Sequence, residues 1–112
     1  MATVTPKPLV QGTLLTNSLA TYYTVPGSTT ATIRAITLCN DHSSVVTVTL
    51  HLVASGGSAS AQNQILKAVS IEAGFTLIDD STRAMNAGDF IRAVASVTNV
   101  VALRVDGAEI TG

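Results

Sequence analysis

The sequence predicts an all-β chain folded as an antiparallel sandwich, and three observations carry that expectation. First, alternation of apolar and polar residues is clearest in "VVTVTLHLV", residues 45–53, where every second side chain belongs to one face. Second, the apolar content is built from Val, Ile, Leu and Ala beside abundant Thr and Ser, with only 4% aromatic residues and no Trp. Such β-branched, small composition suits a pleated surface. Third, Gly, Asn and Asp punctuate the chain at short intervals, and no amphipathic pattern of ordinary helix length intervenes.

Taken in order, the first element is not expected to be a central strand. Residues 1–18 hold Pro6 and Pro8, which each lack an N–H donor, and Gly12. An extended N-terminal arm is expected there, burying Leu9, Val10, Leu14 and Leu15 against the domain or a neighbour. A single sandwich domain then occupies 19–112. "LATYYTV" (19–25) forms a short strand closed by Pro26-Gly27. "TATIRAITLCN" (30–40) forms the next, with Arg34, Ile36 and Leu38 on one face and Ile33, Ala35, Thr37 and Cys39 on the other. Cys39 is expected as a small buried hydrophobe, and a lone cysteine excludes an internal disulfide. Asn40 to Ser43 is a polar turn in which short side chains bond their own backbone.

The strand at 45–54 places Val46, Val48, Leu50 and Leu52 on one face and Thr47, Thr49, His51 and Val53 on the other. Ser55-Gly56-Gly57-Ser58 ends it as a flexible hairpin loop. "NQILKAVSI" (63–71) is read as a strand over a single helical turn. "FTLI" (75–78), "FIRAVASV" (90–97) and "VVALRVDGAEI" (100–110) follow. "EAG" and "NAG" place Gly74 and Gly88 just before apolar runs, where glycine supplies turn dihedrals. Seven to eight strands in a jelly-roll-like or Greek-key arrangement are the expectation.

Composition also narrows function. Charged residues make up 12%, with six Lys and Arg against seven Asp and Glu, so no basic field exists to hold nucleic acid. The start of the sequence lacks a signal-peptide pattern, and no run is long enough to span a bilayer. His42 and His51 lack metal-ligand spacing, Asp79-Asp80 is not a calcium loop, and "ASGGSAS" is neither a nucleophile elbow nor a phosphate loop. No catalytic residue, metal ligand or cofactor is expected. His51 is read as a strand-surface or interface residue. Arg34, Arg92 and Arg104 each sit mid-strand and, if brought into one sheet, form a row able to pair with acids of an adjoining subunit. With Tyr22, Leu9, Val10, Leu14 and Leu15 they make up the expected interface.

Residues 19–110 resemble small structural proteins and modules of tailed bacteriophages. The resemblance rests on Tyr23 to Pro26, then Ile33, Ile36, Leu38 and Asn40, then Val48 to Leu52, and on Gly88, Asp89, Ile91 and Ala93. It implies a non-enzymatic virion subunit of capsid decoration, fibre, neck, tail or baseplate, assembled in the host cytoplasm. Homo-oligomers, three-fold above all, and other virion proteins are the implied partners. A carbohydrate- or receptor-binding module is the alternative, requiring an exposed platform from Tyr22, Tyr23, Phe75 or Phe90.

Overall fold

The computed structural model describes residues 3–111, and among these nine strands form two antiparallel sheets. They are β1 (Thr3–Leu14), β2 (Ala20–Thr24), β3 (Thr29–Asn40), β4 (Val46–Val53), β5 (Gln64–Ile71), β6 (Thr76–Asp79), β7 (Arg83–Met85), β8 (Phe90–Ala95) and β9 (Val101–Thr111). One sheet has the order β1-β9-β3-β6, with β7 also on β3, and the other has the order β2-β8-β4-β5. We call them the long and the short sheet.

The pairing is nested. β1 takes β9, β2 takes β8, β3 takes β6 and β7, and β4 takes β5, as if one long hairpin had been rolled up. This is the jelly roll, with its sixth strand broken into β6 and β7 around residues 80–82.

Between the sheets lies the core that the alternation predicts. Ile33, Ile36 and Leu38 of β3, Val101, Leu103 and Val105 of β9, and Val46, Val48 and Leu50 of β4 are fully enclosed, with Ile91 of β8 and Met85 of β7. Each buried aliphatic contributes on the order of 2 kcal/mol relative to exposure, so the side chains of β3, β4 and β9 are the main thermodynamic reason the sheets stack.

Residues 3–14 are built into this sandwich. β1 pairs with β9 from Thr3↔Thr111 to Leu14↔Ala102. The prolines fit because β1 is an edge strand, where a missing N–H leaves no neighbour unsatisfied. Register shifts after Pro8 and after Val10 turn Leu9 and Val10 into the core.

β3 departs from simple alternation. A bulge between Ile33 and Ala35 inserts Arg34, so Ile33, Ile36 and Leu38 all point inward. Arg34, Ala35, Thr37 and Cys39 point outward, and Cys39 is exposed rather than buried. Across from the bulge, a Cβ on Gly107 would collide with the Thr32 carbonyl oxygen. Glycine is what lets β9 pass the bulge in register.

The two ends of the sandwich are tied by single side chains. Asn40 is fully buried; its Nδ2 donates to the carbonyls of Ile71 (2.9 Å), Ser44 (3.0 Å) and Glu72 (3.3 Å), and its Oδ1 accepts from His42 N (2.8 Å). At the other end Asp89 accepts from Asn86 N (2.8 Å) and Ser55 N (3.0 Å). Gly74 and Gly88 adopt φ of 72° and 86°, which is why the two "AG" turns need glycine.

Candidate assembly surface

The two sheets present very different outer faces. On the short sheet, the chain covers itself. After Val53, residues 55–60 and a single 3-10 turn (Ala61–Asn63) fold back over the end of β4. Asn63 holds them: its Nδ2 donates to the Ser58 carbonyl (2.9 Å), and its Oδ1 accepts from Ser60 N (3.0 Å). The same Oδ1 lies 2.7 Å from His51 Nδ1. An oxygen acceptor there requires Nδ1 to carry a hydrogen and donate it. His51 is therefore 6% exposed, and Val53 is covered with it. The expectation of a surface or interface histidine is corrected, because an exposed strand position became a buried one once the loop was latched over it. The glycine-serine stretch is a bonded flap, not a free hairpin loop.

Beside His51 on this face, Arg92 of β8 donates from one terminal nitrogen to the Leu19 carbonyl (3.1 Å). Its Nε is buried with no partner among the described residues. Arg92 thus stands on the opposite sheet from Arg34 and Arg104, and the three arginines do not form one row.

The long sheet's outer face is bare. Its side chains follow from the register: Leu14, Ala102, Cys39 and Thr76 lie side by side across four strands, with Arg104, Thr37 and Ile78 in the next outward row. Three of the large exposed apolar side chains stand here, Leu14 at 47%, Val4 at 61% and Ile78 at 64%. Charge is limited to Arg34, Arg104 and Asp106. Arg104 Nε donates to both Asp106 carboxylate oxygens at 3.0 and 3.1 Å. Arg34 is exposed and makes no side-chain bond among the described residues.

Of the other expected contact residues, Leu9, Val10 and Leu15 belong to the subunit's own core. Tyr22 is half-buried and packs against that core. Leu14, Arg34 and Arg104 remain on the surface and share the long sheet's outer face.

All four sheet edges are irregular. β1 carries two prolines and two register shifts, β2 has five residues and a shift after Thr21, and β5 is broken by Ala68 at φ 46°. The fourth edge is the broken β6 and β7, where Asp79 and Arg83 form an ion pair at 3.1 Å. The Ser81 amide, helped by Arg83, holds the Asp79 carboxyl below its ordinary range. Interrupted edges of this kind resist strand addition by another chain.

One polar cluster links the sheets. Glu109, pointing inward from β9, accepts from Lys7 Nζ (3.2 Å) and from the Tyr23 hydroxyl of the short sheet. Burial, then the bond and charge of Glu109, push the Tyr23 phenol above its ordinary value. The Tyr23 bond first, then Lys7, hold Glu109 below its own. The sequence signalled none of this, because partners 86 and 102 residues apart share no local pattern.

A shallow depression of about 480 Å³ lies at the chain-end side, lined by Ser28 to Thr30, Asn86, Ala87, Ile110 and Thr111. None of the four aromatic residues lines it. Among the described residues, no three of His, Cys, Asp and Glu cluster as a metal site.

No protein-family model and no curated protein matches the sequence. Solved structures do match. A chain from Bacillus endospore appendages, described as a novel family of disulfide-linked pili, aligns at a TM-score of 0.57 and 12% identity, covering 99% of this chain and 89% of that one. A chain of infectious bursal disease virus, Gx strain, aligns at 0.52 and 8% identity, covering 98% of this chain and 31% of its own. One from the T13 viral particle of the same virus aligns at 0.54 and 5%, covering 98% and 30%. The chain thus spans about a third of the two viral chains. At such identities the likeness is one of fold: this chain shares its two-sheet sandwich with proteins of a pilus and of a virus particle.

Proposed function

We propose that the chain is a non-enzymatic structural subunit of an assembled particle, a bacteriophage virion, and that it works through packing against copies of itself and other virion proteins. The observation that carries this is the long sheet's outer face. It is broad, carries only Arg34, Arg104 and Asp106 as charges among the described residues and is left open, although the same chain covers the end of β4 on the short sheet with a bonded flap. A face of small and apolar side chains can be buried at low desolvation cost, since few charges need partners.

The phage setting rests on the resemblance of residues 19–110 to phage structural proteins, whose marker residues fall in the core and turns of the sandwich. A closed ring, three-fold as that resemblance implies, would repeat one modest contact around an axis. The pilus protein of similar fold is described as disulfide-linked. Here Cys39 is the single cysteine, so a disulfide joins two copies at most and cannot run from subunit to subunit along a filament. Non-covalent packing must carry the assembly. A glycan-binding role has less support, because Phe75, at 64% exposure, lies outside the depression described above, which no aromatic residue lines.

The test is mass spectrometry of gradient-purified particles from a lysate in which the gene is expressed. The expected result is that peptides of this chain sediment with the particles at a constant ratio to other structural proteins. Recovery wholly in the slow soluble fraction would overturn the assignment.

A further inference from the structure

The outward side chains of the central strand β9 are self-complementary. Reading outward positions only, they run Ala102, Arg104, Asp106, Ala108, which places small, cationic, anionic and small groups symmetrically about Val105. We propose that the long sheet's outer face binds a second copy of the chain across a two-fold axis lying in the interface and crossing β9 at Val105. This rests on the reading above that copies of the chain pack together, and it assigns the surface.

The symmetry does three things at once. Arg104 of each subunit lies over Asp106 of the other, so the two exposed pairs become one ring of four alternating charges. Ala102 lies over Ala108, and on β3 Thr37 lies over Ala35, so small side chains flank the central charges and the sheets can approach to the usual separation of about 10 Å. On β1, Leu14 lies over Pro6, giving the exposed leucine an apolar partner.

Size agrees as well. Twelve residues of β3 at about 3.3 Å each, across four strands at about 4.8 Å, give a face of about 750 Å². A standard stable interface covers about 800 Å² on each partner. The interrupted edges of both sheets leave a face, rather than a strand edge, as the route to pairing. A two-fold contact through this face would also join two three-fold rings into a set of six.

The test uses the full chain and two charge reversals, Arg104→Asp and Asp106→Arg, each at an exposed position, with circular dichroism and thermal unfolding to confirm an intact fold. Native mass spectrometry and analytical ultracentrifugation of the wild type should show an even number of copies. Each variant alone sets like charges against like and should weaken self-association by about tenfold or more. In an equimolar mixture, the acidic pair of one variant faces the basic pair of the other. Heterodimers should then form with affinity within about threefold of the wild type. Ala102→Arg, which forces a long charged chain into the close centre, should weaken association and not be rescued by mixing.

Self-association of either reversal at wild-type strength, or a mixture no better than its components, would overturn the face assignment while leaving the assembly reading intact. A wild type that stays monomeric yet sediments with particles has the same consequence. A monomeric wild type absent from particles overturns both.

Discussion

The outer face of the short sheet and that of the long sheet are made from similar residues but end in opposite states. On the short sheet, Val53 and His51 are covered by the chain's own loop, and Arg92 is bonded to a backbone carbonyl. On the long sheet, Leu14, Ile78 and Val4 remain in solvent, with no loop among the described residues folding over them. The difference lies in connection length. The β4 to β5 link runs from residue 54 to 63 and has enough chain to return over the face and bond there through Asn63. The links after β3, after β5 and before β9 turn tightly at Asn40, Gly74 and Asn99 and stay at the ends of the sandwich. A domain can cover part of one face with its own chain and leave the other in solvent, and what divides the two outcomes is where the spare chain is.

This contrast can be broken at its root. Gly107→Val should have the largest effect, because any Cβ there strikes the Thr32 backbone and the bulge that turns Arg34, Ala35 and Thr37 outward cannot form. A loss of about 4 kcal/mol or more in chemical denaturation is expected, with the long sheet's amides losing hydrogen-exchange protection.

Asn40→Ala should cost about 3 kcal/mol. It leaves buried carbonyls of the 40–46 and 71–75 loops without their donor, and the same denaturation experiment reads it. Because Asn40 anchors the end shared by both sheets, its loss should loosen both faces equally.

His51→Ala should act on the short sheet alone. A loss of about 1–2 kcal/mol is expected from the buried hydrogen bond and the packing around it. Amides of residues 55–63 should exchange faster while those of β3 and β9 are unchanged. Exchange acceleration spread over both sheets would refute the view that the flap is a local closure.

The smallest effect is expected from Tyr23→Phe, which tests the link between sheets at about 1 kcal/mol near neutral pH. Glu109 titrates lower in the folded chain than its ordinary 4.5, so its contribution is complete above that value and is lost as pH falls through the depressed folded value. Tyr23 titrates higher than its ordinary 10.0, so its contribution is complete below that value and is lost as pH rises toward the raised one. The wild type should therefore weaken at both extremes, and the variant should weaken less at each. Urea denaturation at acid, neutral and alkaline pH measures this.

Much of the architecture was legible along the chain, because it depends on neighbours in sequence. The alternation at 45–53 places Val46, Val48 and Leu50 inward, Gly74 and Gly88 take the turn conformations that their context requires, and Asn40 bonds the backbone two residues on. Period-two patterning and turn chemistry are local, so the sandwich and most of its strands from residue 19 onward follow from the sequence, whereas β1 and the short β7 do not. What lay beyond reach were contacts whose partners are remote or whose alternation breaks. The bulge at Arg34 moves Cys39 from the expected core side to the surface, and only the crowding of Gly107 against Thr32 reveals why. Residues 3–14 read as an arm because Pro6 and Pro8 suggest no strand, yet β9 offers an edge that tolerates them. His51 reads as exposed because nothing local announces that Asn63 will return to cover it. Strand identity is set by short-range sterics and turns, whereas the covering of one face and the exposure of the other are set by chain segments that meet only after the sheets have stacked.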